Sequence, residues 1–106
     1  MKYELMEYDK DLVACQPLTH IRVAKFAQKF RFPGWYIDIN GCYGCVLGKY
    51  WIAVFMNDCE ETLDITVDTV GETGYFDENL EWETPESDDE LALTARRFMA
   101  KYALKN

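Results

Sequence analysis

The sequence predicts an α+β fold in which two helices cover an antiparallel meander sheet of four to five strands. Three observations lead to this prediction. The stretch from Trp35 to Val70 is rich in β-branched and aromatic residues, which fit a pleated surface. Two tight-turn signals, Asn40-Gly41 and Gly48-Lys49, interrupt it. Apolar residues with helical spacing lie on both sides of it. At 106 residues the chain is expected to form one domain, 1–106.

The N-terminal third is expected to contain one strand and one helix. Lys2 to Tyr8 alternates weakly and predicts a short edge strand. Pro17 suits the first position of a helix, because its missing N–H costs nothing there. From Pro17 to Phe30 the apolar residues repeat on one helix face, with basic residues opposite. The Phe32-Pro33-Gly34 tripeptide then ends the helix.

The middle of the chain predicts the meander. Its strands are expected at residues 35–39, 42–47, 50–56, 63–68 and 80–84, with a loop from Gly71 to Asn79. The strand at 50–56 is apolar on both faces, which places it centrally. In the strand at 63–68 the apolar residues are expected to point inward, whereas Asp64, Thr66 and Asp68 point out.

A second helix is expected to close the fold. Ser87 and Glu90 have the spacing of a capping box, and apolar residues follow on one face. The predicted element order is therefore β-α-β-β-β-β-β-α. The predicted core packs strand residues Ile37, Ile52, Val54, Phe55, Ile65 and Val67 against helix residues Val23, Phe26, Phe30, Leu91, Phe98 and Tyr102.

The charge is distributed unevenly along the chain. The net charge is −8, yet residues 50–95 contain no Lys or Arg at all. The same 46 residues contain 14 acids: Asp58, Glu60, Glu61, Asp64, Asp68, Glu72, Asp77, Glu78, Glu81, Glu83, Glu86, Asp88, Asp89 and Glu90. A solvated surface normally mixes both signs. The one-sided charge predicts an electrostatic target, although it also serves solubility.

The sequence carries no membrane or export signal that we recognise. No apolar run approaches the ~18 residues of a membrane-spanning helix, and the polar, acidic N-terminus lacks the apolar core of a signal peptide. We therefore expect a cytoplasmic protein. Four cysteines in such a chain favour reduced thiols or a metal site over disulfides.

The local motif whose residues could carry chemistry is Cys42-Tyr43-Gly44-Cys45. Cys15, Cys59 and His20 could in principle complete a zinc site, but their spacing matches no standard pattern. Residues three apart on a regular strand also point to opposite faces, so Cys42 and Cys45 would not converge. We expect small buried cysteines and neither a bound metal nor another cofactor.

Catalysis and nucleic-acid binding both lack support in the sequence. His20 has no motif-placed nucleophile beside it, and no glycine-rich phosphate loop is present. We therefore expect no enzyme. The helix–strands–helix order superficially resembles double-stranded RNA-binding domains, which need basic residues at the start of the last helix. Here that position is Ser87-Asp88-Asp89-Glu90, so direct nucleic-acid binding is rejected.

The reversed charge leads to the functional hypothesis. A compact acidic domain can present carboxylates as a nucleic acid presents phosphates, and it then fits a basic protein groove. Small acidic inhibitors act in this way, among them phage anti-restriction and anti-CRISPR proteins and toxin immunity proteins; no motif here links the chain to one family. We expect a partner with a basic, nucleic-acid-handling surface, for example a nuclease. The expected partner-binding residues are Asp58, Glu60, Glu61, Asp64, Asp68, Glu72, Asp77 and Glu78.

An alternative stays open at this point. The chain could instead be a small zinc-binding or accessory interaction module that uses Cys42 and Cys45.

Overall fold

The computed structural model describes residues 21–38, 40–57, 59–71 and 76–105. They form the α+β architecture that the sequence predicts, with five strands and two helices. The elements are α1 (Ile21–Lys29), β1 (Tyr36–Ile37), β2 (Tyr43–Leu47), β3 (Tyr50–Asn57), β4 (Thr62–Val70), β5 (Phe76–Glu83) and α2 (Asp88–Leu104). The predicted strand Lys2 to Tyr8 and the predicted first turn of the first helix lie outside the described residues.

The five strands form one antiparallel meander in the order β1-β2-β3-β4-β5. Each strand pairs with its neighbour in the sequence, and β3 lies in the middle, as its apolar character on both faces predicts. Among the described strands, β5 is the edge strand beside β4. The long, regular pairing of β3 with β4 runs from Tyr50 opposite Thr69 to Asn57 opposite Thr62 and forms the centre of the sheet.

The β2–β3 turn has the predicted two-residue geometry. Leu47 pairs with Tyr50, which leaves only Gly48 and Lys49 in the loop. Gly48 has a φ of 59°, whereas Lys49 is not in the left-handed region. A left-handed residue at the first central position alone defines a type II′ turn, whose twist matches that of the strands.

The β1–β2 turn differs from the predicted two-residue turn at Asn40-Gly41. Ile37 pairs with Tyr43, so the connection is longer. The Gly41 N–H donates to Asp38 O (3.1 Å), and Asp38 Oδ1 accepts from the backbone N–H groups of Asn40 and Cys42 (both 2.9 Å). Because the Asp38 side chain replaces ladder hydrogen bonds, β1 is shorter than the predicted 35–39 strand.

Both helices pack on the same face of the sheet and enclose the main core. This core contains Val23, Phe26, Ile37, Ile52, Val54, Ile65, Val67, Leu91, Phe98 and Tyr102, as predicted. Two expectations are wrong. Phe30 is only partly buried, because it lies at the end of α1. Phe55 alternates away from Val54 and lies on the opposite sheet face, which we call the outer face.

Tyr43 links the end of α1 to the sheet. It is completely buried, and its hydroxyl donates to Phe30 O (2.7 Å) while accepting from the Phe32 N–H (3.0 Å). Its ring packs against Phe26 and Trp35, with centroids 6.1 and 5.0 Å apart. Two backbone groups released at the helix end are thereby satisfied inside an aromatic cluster.

β5 begins earlier than the sequence predicts. The prediction placed a loop over 71–79 and a strand over 80–84, whereas β5 spans Phe76–Glu83. The pairing with β4 contains register shifts between Val67 and Asp68 and between Asp68 and Val70. These bulges break the period-2 pattern along β5, so that alternation gave no strand signal in its first half.

Candidate functional site: the acidic surface and Trp82

The predicted partner-binding acids fall into two exposed groups at opposite ends of β4. Glu60 and Glu61 lie in the β3–β4 turn, and Asp77 and Glu78 lie at the start of β5 beside the half-buried Asp68. Because the nine residues of β4 are separated by eight steps of ~3.3 Å, its ends are about 26 Å apart. We call these five residues the acidic surface.

The β3–β4 turn presents Glu60 and Glu61 to solvent. Asn57 Oδ1 accepts from the Glu60 N–H at 3.3 Å, and Glu61 has a φ of 55°. A left-handed conformation is uncommon for a residue with a side chain and fixes the direction of the turn. Arg22 Nη1 donates to Glu61 O at 3.0 Å and so ties the turn to α1.

Asp77 and Glu78 belong to strand β5, which corrects the prediction that they lie in a loop. The Glu78 N–H donates to Thr69 Oγ1 at 3.0 Å, which holds this end of β5 against β4. Asp68 Oδ1 accepts from Asn79 Nδ2 at 2.9 Å. These carboxylates are therefore displayed on ordered backbone, next to a bulge that Asn79 stabilises.

Asp64 does not belong to the exposed surface, and the prediction that it points into solvent is wrong. Its side chain lies on the outer face, as the alternation of β4 predicts, but it is only 1% exposed. Asp64 Oδ2 accepts from Trp82 Nε1 (2.8 Å) and Asn57 Nδ2 (3.0 Å), and Oδ1 accepts from Thr62 Oγ1 (2.7 Å). Three side chains cover a carboxylate that the pattern alone assigns to solvent.

The hydrogen bonds keep Asp64 ionised. Burial raises the pKa of Asp64, but donors on Asn57, Thr62, Trp82 and Thr84 together outweigh this effect and hold the pKa below its usual range. Neutral donors supply this stabilisation, and within the described residues no Lys or Arg forms an ion pair with Asp64. Asp64 is therefore a structural carboxylate with its charge retained.

Trp82 is the residue of this region that the sequence interpretation missed. It pairs with Thr66 across the β4–β5 ladder and lies on the outer face. Its ring meets Phe55 edge-on at 5.5 Å between centroids, and its N–H binds Asp64, yet the residue is 57% exposed. The available signal was its position between the acids Glu81 and Glu83, which places an aromatic ring opposite two charged side chains on one strand.

Glu81 and Glu83 point to the other face and bind α2. Glu81 Oε2 accepts from Tyr102 Oη (2.6 Å) and Lys101 Nζ (2.9 Å), and Arg97 Nη2 lies 2.8 Å from Glu83 Oε2. Burial raises the pKa of Glu81, but the hydrogen bonds from Tyr102 and Lys101 outweigh this effect and hold the pKa below its ordinary value. These two acids attach the edge strand to the helix.

A cleft of about 280 Å³ separates the β3–β4 turn from the start of α2. Arg22, Glu61, Ser87 and Asp88 contribute to its walls. Ser87 Oγ accepts from the Glu90 N–H at 3.1 Å, as the predicted N-cap requires. The cleft brings acids of the turn and of α2 to one end of the sheet, where Arg22 is the basic residue.

The two cysteines of the C-x-x-C motif lie on opposite sides of the sheet. Cys45 is buried in the main core, whereas Cys42 packs with Tyr36 and Trp51 on the outer face. Cys59 is exposed in the β3–β4 turn. Burial raises the pKa of Cys45 to about 12; burial and the nearby Asp38 carboxylate do the same for Cys42. Neither thiol is a ready thiolate ligand.

Several predicted positions are not described. Asp58, Glu72, Cys15 and His20 lie outside the described residues. Among the residues that are described, no group of three His, Cys, Asp or Glu side chains is arranged to hold a metal ion. In the same part of the chain, no helix has the length and apolar character needed to cross a membrane.

The comparisons with known proteins give no relative. No protein-family model matches the chain, and neither the curated proteins nor the solved structures contain a match.

Proposed function

We propose that this protein is a small acidic binding protein that inhibits its partner by covering a basic, nucleic-acid-handling surface. The partner's chemistry would be that of a nuclease or another nucleic-acid-binding protein. Anti-restriction, anti-CRISPR and toxin immunity proteins are classes that work in this way. In this proposal the protein acts by binding and uses neither a catalytic group nor a cofactor.

The observation that carries the proposal is the one-sided charge of residues 50–95 together with the exposure of its acids. Among the described residues, the ion pairs involve Asp89, Glu83 and Glu81, and none involves the exposed acids of the acidic surface. Four of these acids, in the β3–β4 turn and at the start of β5, are exposed. Their charge is therefore available to a partner.

The spacing of the two acidic groups also supports the proposal. They are about 26 Å apart along β4, which is within the length of about 34 Å of one turn of a DNA duplex. A basic groove that accommodates a duplex could therefore meet both groups at once. Exposed carboxylates of this kind mainly accelerate the encounter with a partner. Salt screens their attraction for charges farther away than a Debye length of ~8–10 Å.

The experiment that tests the proposal is affinity capture followed by competition. The proposal is supported if a nucleic-acid-binding protein is captured and is displaced both by raised salt and by added duplex nucleic acid. The double variant Asp77→Lys/Glu78→Lys should lose this partner. Partners that stay bound at high salt and to the reversed variant would contradict the proposal.

A matched control separates the surface from the total charge. The two reversals change the net charge by four. Four neutral-to-lysine substitutions at exposed helix positions make the same change: Gln28→Lys, Ala100→Lys, Ala103→Lys and Leu104→Lys. This control should retain most of the binding if the acidic surface is the site. Equal loss in both variants would mean that only the overall charge matters.

A further inference from the structure

We propose that Trp82 is the anchor of the binding surface and takes an arginine side chain of the partner on its exposed ring face. This inference rests on the proposed function, because it names the chemistry by which a basic partner would be held. It also adds an element that charge alone does not supply, since carboxylates at a rim speed encounter more than they hold a complex.

The first argument is the combination of exposure and fixation. Trp82 is 57% exposed, although tryptophan side chains are highly buried on average. Its N–H donates to Asp64 at 2.8 Å, and its ring rests edge-on against Phe55. The ring is thus fixed before a partner arrives, and little side-chain entropy remains to be lost on binding. Fixed, exposed tryptophans are frequent energetic centres of interfaces.

The second argument is electronic. A cation is attracted to the electron-rich face of an indole. Because Trp82 donates its N–H to an ionised carboxylate, electron density shifts toward the ring and its face becomes more negative. The other side chains that donate to the buried Asp64 are neutral, so they leave its negative charge in place beside the indole. Phe55, which covers one part of the ring, leaves the rest accessible.

The third argument is the position of the ring in the sheet. Trp82 lies on the edge strand of the sheet that the described residues form, so within that part of the chain a partner can reach it from the side of the sheet. Asp68 lies on the same outer face, two residues along β4 from Thr66, the residue opposite Trp82, and pairs with Asn79 beyond the bulge. A guanidinium group on the ring would therefore meet a carboxylate nearby. Arginine fits better than lysine, because its planar group stacks on an aromatic face while its N–H groups bind carboxylates.

The test uses the intact protein and a defined probe. The probe is a short, end-capped peptide that alternates arginine with serine, and its matched control contains citrulline, which has the same shape without the charge. Acrylamide quenching reports the site directly, because Trp35 and Trp51 are 1% and 5% exposed and Trp82 is the exposed tryptophan. We expect the arginine peptide to protect Trp82 from the quencher at low salt and the citrulline peptide not to do so.

Variants then assign the contact. Trp82→Leu should weaken binding of the arginine peptide roughly tenfold, as expected for the loss of a cation–π contact. Trp82→Phe should lose less, because it keeps a ring but not the bond to Asp64. The control is Leu93→Ala, which removes a similarly exposed apolar side chain from α2 and should leave binding unchanged. If a Trp82 variant unfolds, the quenching experiment on the wild-type protein still decides.

The outcomes distinguish this inference from the proposed function. If the arginine peptide binds in a charge-dependent way but leaves Trp82 open to acrylamide, the anchor is overturned while the acidic surface stands. If neither the arginine peptide nor a basic partner binds at low salt, both are overturned. Protection of Trp82 together with loss in Trp82→Leu and retention in Leu93→Ala supports the anchor.

Discussion

The indole N–H of Trp82 donates to the buried carboxylate of Asp64 at 2.8 Å, across neighbouring strands and 18 residues apart in the sequence. This hydrogen bond joins a structural charge to an exposed ring. It explains why an acid on the outer face of β4 is buried and why an aromatic side chain on the edge strand keeps one orientation. Asp64 thus supports the candidate surface from below and does not form part of it.

Replacing Asp64 by asparagine should destabilise the protein. Asparagine keeps the size of the side chain, but its amide nitrogen replaces one of the two oxygens and cannot accept the bonds made there, either those of Asn57 and Trp82 or that of Thr62. A buried donor without an acceptor costs about 1–3 kcal/mol. The measurement is the free energy of unfolding in urea. Asp68→Asn is the control, because Asp68 is half-buried, and should cost less; equal losses at both positions would contradict the role of Asp64.

The same residue should make the stability of the protein depend on acid pH. The pKa of Asp64 is lower in the folded protein than in the unfolded chain, where it is about 3.9. The stabilisation is therefore complete above that value and is lost as the pH falls through the folded pKa. The wild type should lose its advantage over Asp64→Asn below about pH 4. Parallel pH profiles of the two proteins would show that Asp64 is not responsible.

The strand pattern predicts the fold better than it predicts the surface. Alternation placed Leu63, Ile65 and Val67 correctly in the core, because their burial depends on a periodicity that is local. The same alternation assigned Asp64 to solvent, since its burial depends on Trp82, a residue distant in the sequence. A pattern gives the side of the sheet on which a residue lies, but not what covers that side.

The extent of β5 is a second case in which distant pairing decides. Asp77, Glu78 and Asn79 form a polar run with no alternation, so a loop was predicted there. The ladder with β4 and the bonds of Asn79 to Val67 O and Asp68 Oδ1 hold this run as a strand. Bulges of this kind follow from the partner strand and leave little trace in the sequence.

The core prediction can be checked at Phe98. Its side chain is 1% exposed and contacts Tyr102 edge-on, with 6.4 Å between centroids. Phe98→Ala should cost about 3–5 kcal/mol, the usual range for removing a buried aromatic ring. The control lies on the same helix: Leu93 is 64% exposed, and Leu93→Ala should cost no more than about 0.5 kcal/mol. Similar urea midpoints for both variants would show that α2 does not pack as described.

Gly44 should not tolerate a side chain. It pairs with Ala53 in the β2–β3 ladder, and a Cβ atom at this position would overlap the carbonyl oxygen of Ile52. The obstacle is backbone, so it cannot be relieved by a rotamer change. Gly44→Ala should therefore destabilise by about 1–3 kcal/mol or more.

Gly34 provides the comparison for that prediction. It has a φ of 81° and no atom within 4 Å of an added Cβ, so Gly34→Ala strains only the backbone conformation. That strain costs about 1–2 kcal/mol. Gly44→Ala should also shift strand pairing, which amide hydrogen exchange in β2 and β3 would detect. Unchanged exchange in Gly44→Ala would contradict the close approach of these strands.

The reactivity of the cysteines distinguishes buried thiols from metal ligands. Burial raises the pKa of Cys45 to about 12, and burial together with Asp38 does so for Cys42, so both are thiols at pH 8. Alkylation requires the thiolate. We expect iodoacetamide to modify Cys59 readily in the native protein. It should modify Cys42 and Cys45 on the order of a hundredfold more slowly than in the unfolded chain.

Peptide mass mapping before and after a chelator completes this test. A structural zinc ion holds thiolates and contributes directly to folding, so its removal would unfold the protein and expose both cysteines. We expect a chelator to change neither the alkylation rates nor the unfolding midpoint, and the double variant Cys42→Ser/Cys45→Ser to remain folded. Because the two side chains lie on opposite sides of the sheet, one metal ion cannot bind both without disrupting β2. Chelator-induced alkylation of Cys42 and Cys45 together would therefore contradict the strand geometry and favour the metal-binding alternative.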